Sequence, residues 1–299
     1  MNVGILRSSL DASVNFVEDE LDGGALESRF VQRAADKILV YLSSHSGCKM
    51  ACRMCHLTAT GQTMMAPAAL QDYRRQAERV LAYYDTLIEN TGQAPAKVVN
   101  YNFMARGEPL ANPTVLGAYP DLRRCLSGLA QARGLAARLN VSTILPKDME
   151  AVRLQDVFAG EPVHLFYSLY SMKPAFRRRW LPRALDPRIA LDKLADWQLE
   201  SSTPITLHWA FIAGENDDED TVGEIIDAVR SRALRVKFNA VRYNPHSEAH
   251  GREPDEEILQ RNFRVLAEAF GHPESQMVPR VGFDIKASCG MFVTPAQNS

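Results

Sequence analysis

Lys37-Ile-Leu-Val-Tyr-Leu42 runs into Ser43-Ser-His-Ser-Gly47 and then Cys48-x-x-x-Cys52-x-x-Cys55. The first six residues, apolar and partly β-branched, read as a strand. The cysteines fall in one loop directly after it. That spacing lets one loop bind three irons of a cubane cluster and leaves the fourth iron without a protein ligand, open to a substrate or cofactor. Zinc is the alternative, with Cys48, Cys52, Cys55 and His56 as three sulfurs and a nitrogen. Structural zinc, however, takes two separated ligand pairs, and no second pair follows. Adjacent Cys55 and His56 also cannot easily point at one metal. Iron–sulfur clusters normally use four cysteines, so a set of three is informative by its deficit. The spacing favours the cluster.

Working outward, apolar β-branched runs recur near 37–42, 97–104, 137–144, 163–169, 204–212 and 235–242. Helical stretches lie between them near 66–92, 113–134, 147–158, 184–200, 219–231 and 254–270. Pro67, Asp186-Pro187 and the Asp217–Asp220 acidic run mark helix starts. Six β-then-α units predict a parallel sheet with crossover helices. The strands read as mostly continuous apolar runs, as a sheet covered on both faces requires. A partial (β/α)6 barrel and an open doubly wound sheet both satisfy the pattern. In either architecture sites gather at the carboxyl ends of the strands, where the cysteine loop falls. Residues 1–36 are expected to be a short N-terminal extension and 37–299 the α/β domain. Within the extension, Val14–Val17 and Arg29–Val31 flank the turn signal Asp22-Gly23-Gly24, with a disordered acidic arm as the alternative.

At 299 residues and 46% hydrophobic content the chain can bury a large core. It has no apolar run of transmembrane length and no signal-peptide pattern, so no membrane role is expected. Five cysteines, three of them clustered, argue against a disulfide framework and for a reducing cytoplasm. The net charge of −2 gives no overall attraction to nucleic acid. Six acids within residues 1–30 leave a remainder with 32 basic and 30 acidic residues.

Gly107-Glu108-Pro109-Leu110 ends the second strand. Glycine permits close backbone approach, and a carboxylate there can accept hydrogen bonds from an ammonium group. With the cysteine loop, this motif makes the chain resemble the radical S-adenosylmethionine superfamily, whose fold is a six-unit partial (β/α) barrel. The resemblance narrows to the RNA adenosine-C2 methyltransferase (RlmN/Cfr-like) family. Ser43-Ser44-His45-Ser46-Gly47-Cys48 is similar to its lead into the cluster loop, and Ser142-Thr143 and Ser168-Leu169-Tyr170 to two strand-end motifs. Asn239, Tyr243-Asn244-Pro245 and Gly282-Phe-Asp-Ile-Lys-Ala-Ser-Cys289-Gly290 are similar to its C-terminal motifs. The resemblance implies a [4Fe-4S] cluster on Cys48, Cys52 and Cys55. It also implies S-adenosyl-L-methionine held by Gly107, Glu108, Ser142, Ser168, Tyr170 and Asn244. Cys289 would be a methyl carrier, Glu27 a proton acceptor, rRNA or tRNA the substrate, and a reductase such as flavodoxin or ferredoxin the electron donor.

This chemistry has a rationale. Adenine carbon 2 is electrophilic, so ordinary methyl transfer to it is closed. A methyl group carried on Cys289 and activated by hydrogen-atom removal could add there, with a base taking the ring proton and a thiol releasing the product. The chain departs from the family at Tyr41, which stands where the family has its release cysteine. Cys125 is the one thiol left, in the helical pattern Leu122-Arg-Arg-Cys-Leu126, where it reads as a small buried residue. Arg177-Arg178-Arg179-Trp180 is the densest basic patch, suited to phosphate contact and base stacking, or else to a solvated helix start with Trp180 packed inward. His208 reads as a core or barrel-lining residue. Two other functions stay open: a radical enzyme acting on a small molecule, nucleotide or peptide, and an inactive iron–sulfur RNA-binding protein.

Overall fold

One ten-stranded sheet, its strands in sequence order from edge to edge, organises the chain in a computed structural model describing residues 3–20 and 22–294. Strands β1 (Val3–Arg7), β2 (Val14–Asp19) and β3 (Ala25–Ala34) form an antiparallel meander, and β3 pairs antiparallel with β4 (Lys37–Tyr41). From there every neighbour is parallel: β5 (Val98–Phe103), β6 (Ala136–Thr143), β7 (His164–Tyr167), β8 (Ile205–Ala210), β9 (Val236–Val241) and β10 (Gln276–Val278). The helices are α1 (His56–Ala59), α2 (Leu70–Thr91), α3 (Pro113–Gln131), α4 (Leu154–Phe158), α5 (Pro174–Trp180), α6 (Pro187–Glu200), α7 (Glu219–Arg230) and α8 (Glu256–Phe270). Residues of β4 and of β10 line the same inner chamber, so the sheet curls into a partial barrel and not an open doubly wound sheet. The acidic N-terminus is strand rather than a loose arm. Glu18 is buried and ion-paired with Arg75 and Arg79 of α2 at 2.9 and 2.8 Å. The sheet continues through residue 36, so the extension shares the barrel's sheet.

The apolar strand pattern was legible on one face only. On β4, Ile38 and Val40 are fully buried against the helices, whereas Lys37, Leu39 and Tyr41 face the lumen half-buried. On β6, Leu139 and Val141 face out while Arg138, Asn140 and Ser142 line the lumen and the cavity above it. The expectation of strands apolar on both faces is corrected accordingly: helices cover the outer face and the inner face is polar. Exposed β1 and short β10 lack a strong periodic signal and escaped sequence reading. No helix among the described residues is long and apolar enough to cross a membrane.

Candidate active site

Three backbone ties aim the cysteine loop at the carboxyl end of the barrel. Gln76 of α2 grips Ser43, accepting from its N–H at 2.8 Å and donating to its carbonyl at 3.1 Å. Asn112 caps α3 and also donates to the carbonyls of Ser44 and Ala68 at 2.6 and 3.0 Å. Gly107, with φ +93°, presses its backbone against this lead-in. A Cβ there would stand 2.5 Å from both His45 Nδ1 and Ser44 Oγ. Gly47 is similarly confined, because a Cβ would lie 2.5 Å from the Met64 carbonyl oxygen.

Cys48, Cys52 and Cys55 then line one cavity of about 170 Å³, together with Gly107, Glu108 and Cys289. Ser142, Ser168 and Tyr170 come to the same cavity from the ends of β6 and β7. Burial pushes the Cys48 thiol up to about 12, Cys52 well above the ordinary range and Cys55 upward, with neighbouring cysteines adding to the first two. Such buried thiols keep their protons unless a positively charged group stabilises the thiolates. Among the described residues no three His, Cys, Asp or Glu side chains gather as a single metal ion requires. His56 does not join the cysteines: its Nε2 sits 3.1 Å from the Asn244 carbonyl oxygen and its ring packs edge-on against His246. Three cysteines around a volume suit a multi-atom iron–sulfur group better than one zinc ion.

Glu108 supplies the second fit. It is 4% exposed, and its two oxygens accept from Leu110 N–H at 3.0 Å and Ile144 N–H at 3.1 Å. No cation pairs with it among the described residues, and burial raises its carboxyl to about 7 despite hydrogen bonds that pull the other way. A buried carboxylate without a cation, facing a cavity beside three thiols, matches the amine end of an amino-acid-bearing cofactor.

Cys289 opens both on this cavity and on a neighbouring chamber that holds Tyr41, Met104, His208 and Asn244. It is accessible from the cavity though walled by protein, and burial followed by the nearby Cys55 pushes its thiol up to about 11. Asn244 stands in the neighbouring chamber rather than among the residues lining the cysteine cavity. Its Nδ2 donates to the Cys289 carbonyl at 2.9 Å and its Oδ1 accepts from Arg280 at 2.8 Å. The Cys289 loop is further clamped by Arg29, which donates to the carbonyls of Ala287 and Met291 at 2.9 and 2.8 Å.

One expectation needs correction. Glu27 is fully buried with both oxygens already occupied, by Arg106, Arg29, Asn15 and the Val293 N–H. The two guanidiniums outweigh burial and hold its carboxyl below the usual range, so it has neither a free lone pair nor the basicity for a proton acceptor. For Arg177–Trp180 the structure has the second of the two readings, a helix start with Trp180 packed inward. Arg177 is buried and donates to the carbonyls of Leu169 and Leu185. Trp180 is 1% exposed with its Nε1 on Glu215, and Arg179 pairs with the same glutamate. Only Arg178 and Arg179 remain near the surface for phosphate. Cys125 lies half-buried on α3 and lines none of these cavities. Sequence reading missed Arg29 and Arg106, whose clamp spans the whole chain. It also missed the lumen residues Asn102 and Asn140, although Val98-Val-Asn-Tyr-Asn-Phe103 carries a period-2 polar signal.

No family model matches the chain. Over 291 residues it is 26% identical to the dual-specificity RNA methyltransferase RlmN of Bdellovibrio bacteriovorus, covering 96% of this chain and 66% of that protein. Over 289 residues it is 28% identical to a probable RlmN of Thermosynechococcus vestitus, covering 94% and 77% respectively. The chain thus spans about two-thirds to three-quarters of the length of these relatives. In structure it is similar to a radical SAM methyltransferase from Sphaerobacter thermophilus, with a TM-score of 0.76 at 20% identity over 97% of this chain and 80% of that one. HydG, a maturase of the [FeFe]-hydrogenase, superposes with a TM-score of 0.55 at 14% identity over 81% of this chain and 52% of that one. With the triad, the Gly-Glu-Pro turn and the Cys289 loop assembled at one end of a partial barrel, the chain is similar in sequence to RlmN-type RNA methyltransferases and shares the fold of a radical SAM methyltransferase.

Proposed function

We propose that this chain reductively cleaves S-adenosylmethionine and modifies an RNA base, methylating adenosine at carbon 2 through Cys289. The observation that carries the reading is that Cys289 opens on the same cavity as the three loop cysteines and Glu108. Cys48, Cys52 and Cys55 would hold a [4Fe-4S] cluster, and Glu108 with Ser142 and Ser168 would hold the cofactor's amino-acid end. When bound, the pair supplies a carbon radical able to remove a hydrogen atom. Buried Glu108 orients an ammonium group. Tyr170, held at φ +62° and stacked on Phe176, walls the cavity. Asn244 and Arg29 hold the Cys289 loop in place from its carbonyl side.

Release by disulfide formation at Cys289 needs a second thiol. Tyr41 shares a chamber with Cys289 but is a phenol, and Cys125 lines none of these cavities, so that thiol comes from solution. A soluble reductase such as flavodoxin or ferredoxin would supply the electrons. The test is Cys289→Ala in the reconstituted protein. It is expected to abolish RNA methylation and to leave 5′-deoxyadenosine formation intact. Methylation by that variant would refute the carrier role, and loss of 5′-deoxyadenosine in the wild type would refute cofactor cleavage.

A further inference from the structure

Small-barrel interiors are normally filled with branched apolar side chains. Here the lumen is lined by amides. Asn102, Asn140 and Asn239 are 4%, 6% and 5% exposed and face an inner chamber of about 270 Å³. Among the described residues Asn100 Oδ1, Asn239 Oδ1 and His208 Nδ1 are buried without a hydrogen-bond partner. Unpaired buried polar groups cost on the order of 1–3 kcal/mol each, so a lumen built this way calls for a polar occupant.

The chamber has two ends. Toward the cysteine cavity it shares Met104 and His208 with the wall of that cavity. At the opposite end it widens into an outer vestibule of about 780 Å³, bordered by Lys37, Arg138, Lys237 and Glu274. Lys237 pairs with Glu274 at 2.6 Å, while Lys37 and Arg138 have no ion-pair partner among the described residues. The rim is therefore net positive. His164, also on this rim, is held toward its neutral form by burial and by Arg138 and Lys237.

We infer that the lumen is a nucleotide subsite, entered from the vestibule, in which Lys37 and Arg138 take the phosphate and the Asn102–Asn140 pair reads the base. Asn140 Nδ2 donates to Asn102 Oδ1 at 2.7 Å, which leaves the Asn102 amino group and the Asn140 carbonyl oxygen wholly free, a donor group beside an acceptor. One donor beside one acceptor complements an adenine edge, whereas guanine presents two acceptors on its major-groove edge. Phe166 and Tyr41 supply aromatic walls to the same chamber. Arg138 and Asn140 are two residues apart on β6, roughly 6–7 Å, a span that one ribose bridges. A base seated there points its inner edge toward Met104 and the Cys289 side. The inference rests on the reading that this chain modifies a nucleobase. Its test measures binding alone, so either can fail without the other.

Equilibrium titration of the purified full chain with AMP, GMP and ribose 5-phosphate tests it. AMP is expected to bind about tenfold tighter than GMP. Asn140→Leu should weaken AMP about tenfold and leave ribose 5-phosphate unchanged, while Arg138→Ala should weaken both. The Arg138 side chain makes no hydrogen bond among the described residues, so its variant guards against a folding defect at Asn140. A single-stranded RNA pentamer containing adenosine separates the two sources of nucleotide. RNA binding that falls in both variants assigns the subsite to RNA. AMP binding that falls while RNA binding does not assigns it to a free nucleotide. No saturable AMP binding up to about 10 mM, or AMP binding that neither variant changes, overturns the subsite.

Discussion

Arg106 donates its Nε–H to Glu27 Oε1 at 3.0 Å, and neither side chain is exposed. Arg29 holds the other carboxylate oxygen at 2.7 Å. Each arginine also reaches the C-terminal segment, Arg29 at Ala287 and Met291 and Arg106 at Val293. One buried carboxylate therefore neutralises two cations that hold down the loop carrying Cys289. Removing one partner of a buried network leaves the others uncompensated. Glu27→Gln is expected to lower stability by about 3–5 kcal/mol, read by urea unfolding. A loss under about 1 kcal/mol would show that the clamp contributes little.

Glu108 titrates near 7 in the folded chain against an ordinary value of 4.5, with burial the largest cause. The folded state therefore binds the proton more tightly. Its contribution to stability is complete below about 4.5 and is lost as pH rises through about 7. His45 and His208, lowered to about 4 by burial, act oppositely over the lower part of that range. The measurement is accordingly a difference. Between pH 5 and pH 7.5 cofactor-free wild type should lose about 2 kcal/mol more than Glu108→Gln. Parallel pH profiles for the two proteins would contradict the raised carboxyl.

Gly107→Ala places a methyl group 2.5 Å from His45 Nδ1 and Ser44 Oγ at φ +93°. Strain and overlap together should cost more than about 2 kcal/mol and displace the lead into the cysteine loop. Thermal unfolding and iron content after reconstitution would both fall. A variant with wild-type midpoint and iron would show that the contact is soft.

Iron itself separates the cysteines. Cys48→Ala, Cys52→Ala and Cys55→Ala should each lose most of the iron and the visible absorbance on anaerobic reconstitution, whereas Cys289→Ala and Cys125→Ala should keep both. Equal iron loss in Cys289→Ala would make it a ligand rather than a carrier.

Arg178 and Arg179 are what remains of the basic patch once Arg177 and Trp180 are buried. Replacing both with Ala is expected to change RNA affinity by no more than about threefold at physiological salt, because exposed side chains with one partner on Glu215 contribute little. A tenfold loss in a filter-binding assay would restore the patch as an RNA contact.

The cysteine spacing, the Gly-Glu-Pro turn and the alternation of strand and helix are local in sequence. Loop length, turn chemistry and periodicity carry them, so a parallel β/α sheet and the place of the cysteine loop at its carboxyl end were legible from residues alone, whereas the choice of partial barrel over open sheet waited on how the sheet curls. Contacts between distant segments decided the rest. Glu27 reads as an acid in an acidic stretch until Arg106 and Arg29 close on it from a different strand end and from its own strand. Trp180 follows three arginines, yet packs inward because Phe176 stacks beneath it and Glu215 meets its indole. The lumen could not be read from any one strand. Asn102 and Asn140 face each other only because β5 and β6 pair in that register and the sheet curls around them. Sequence carries what neighbours along the chain decide. Charge compensation, burial and cavity lining depend on which segments meet, and only the folded chain sets that.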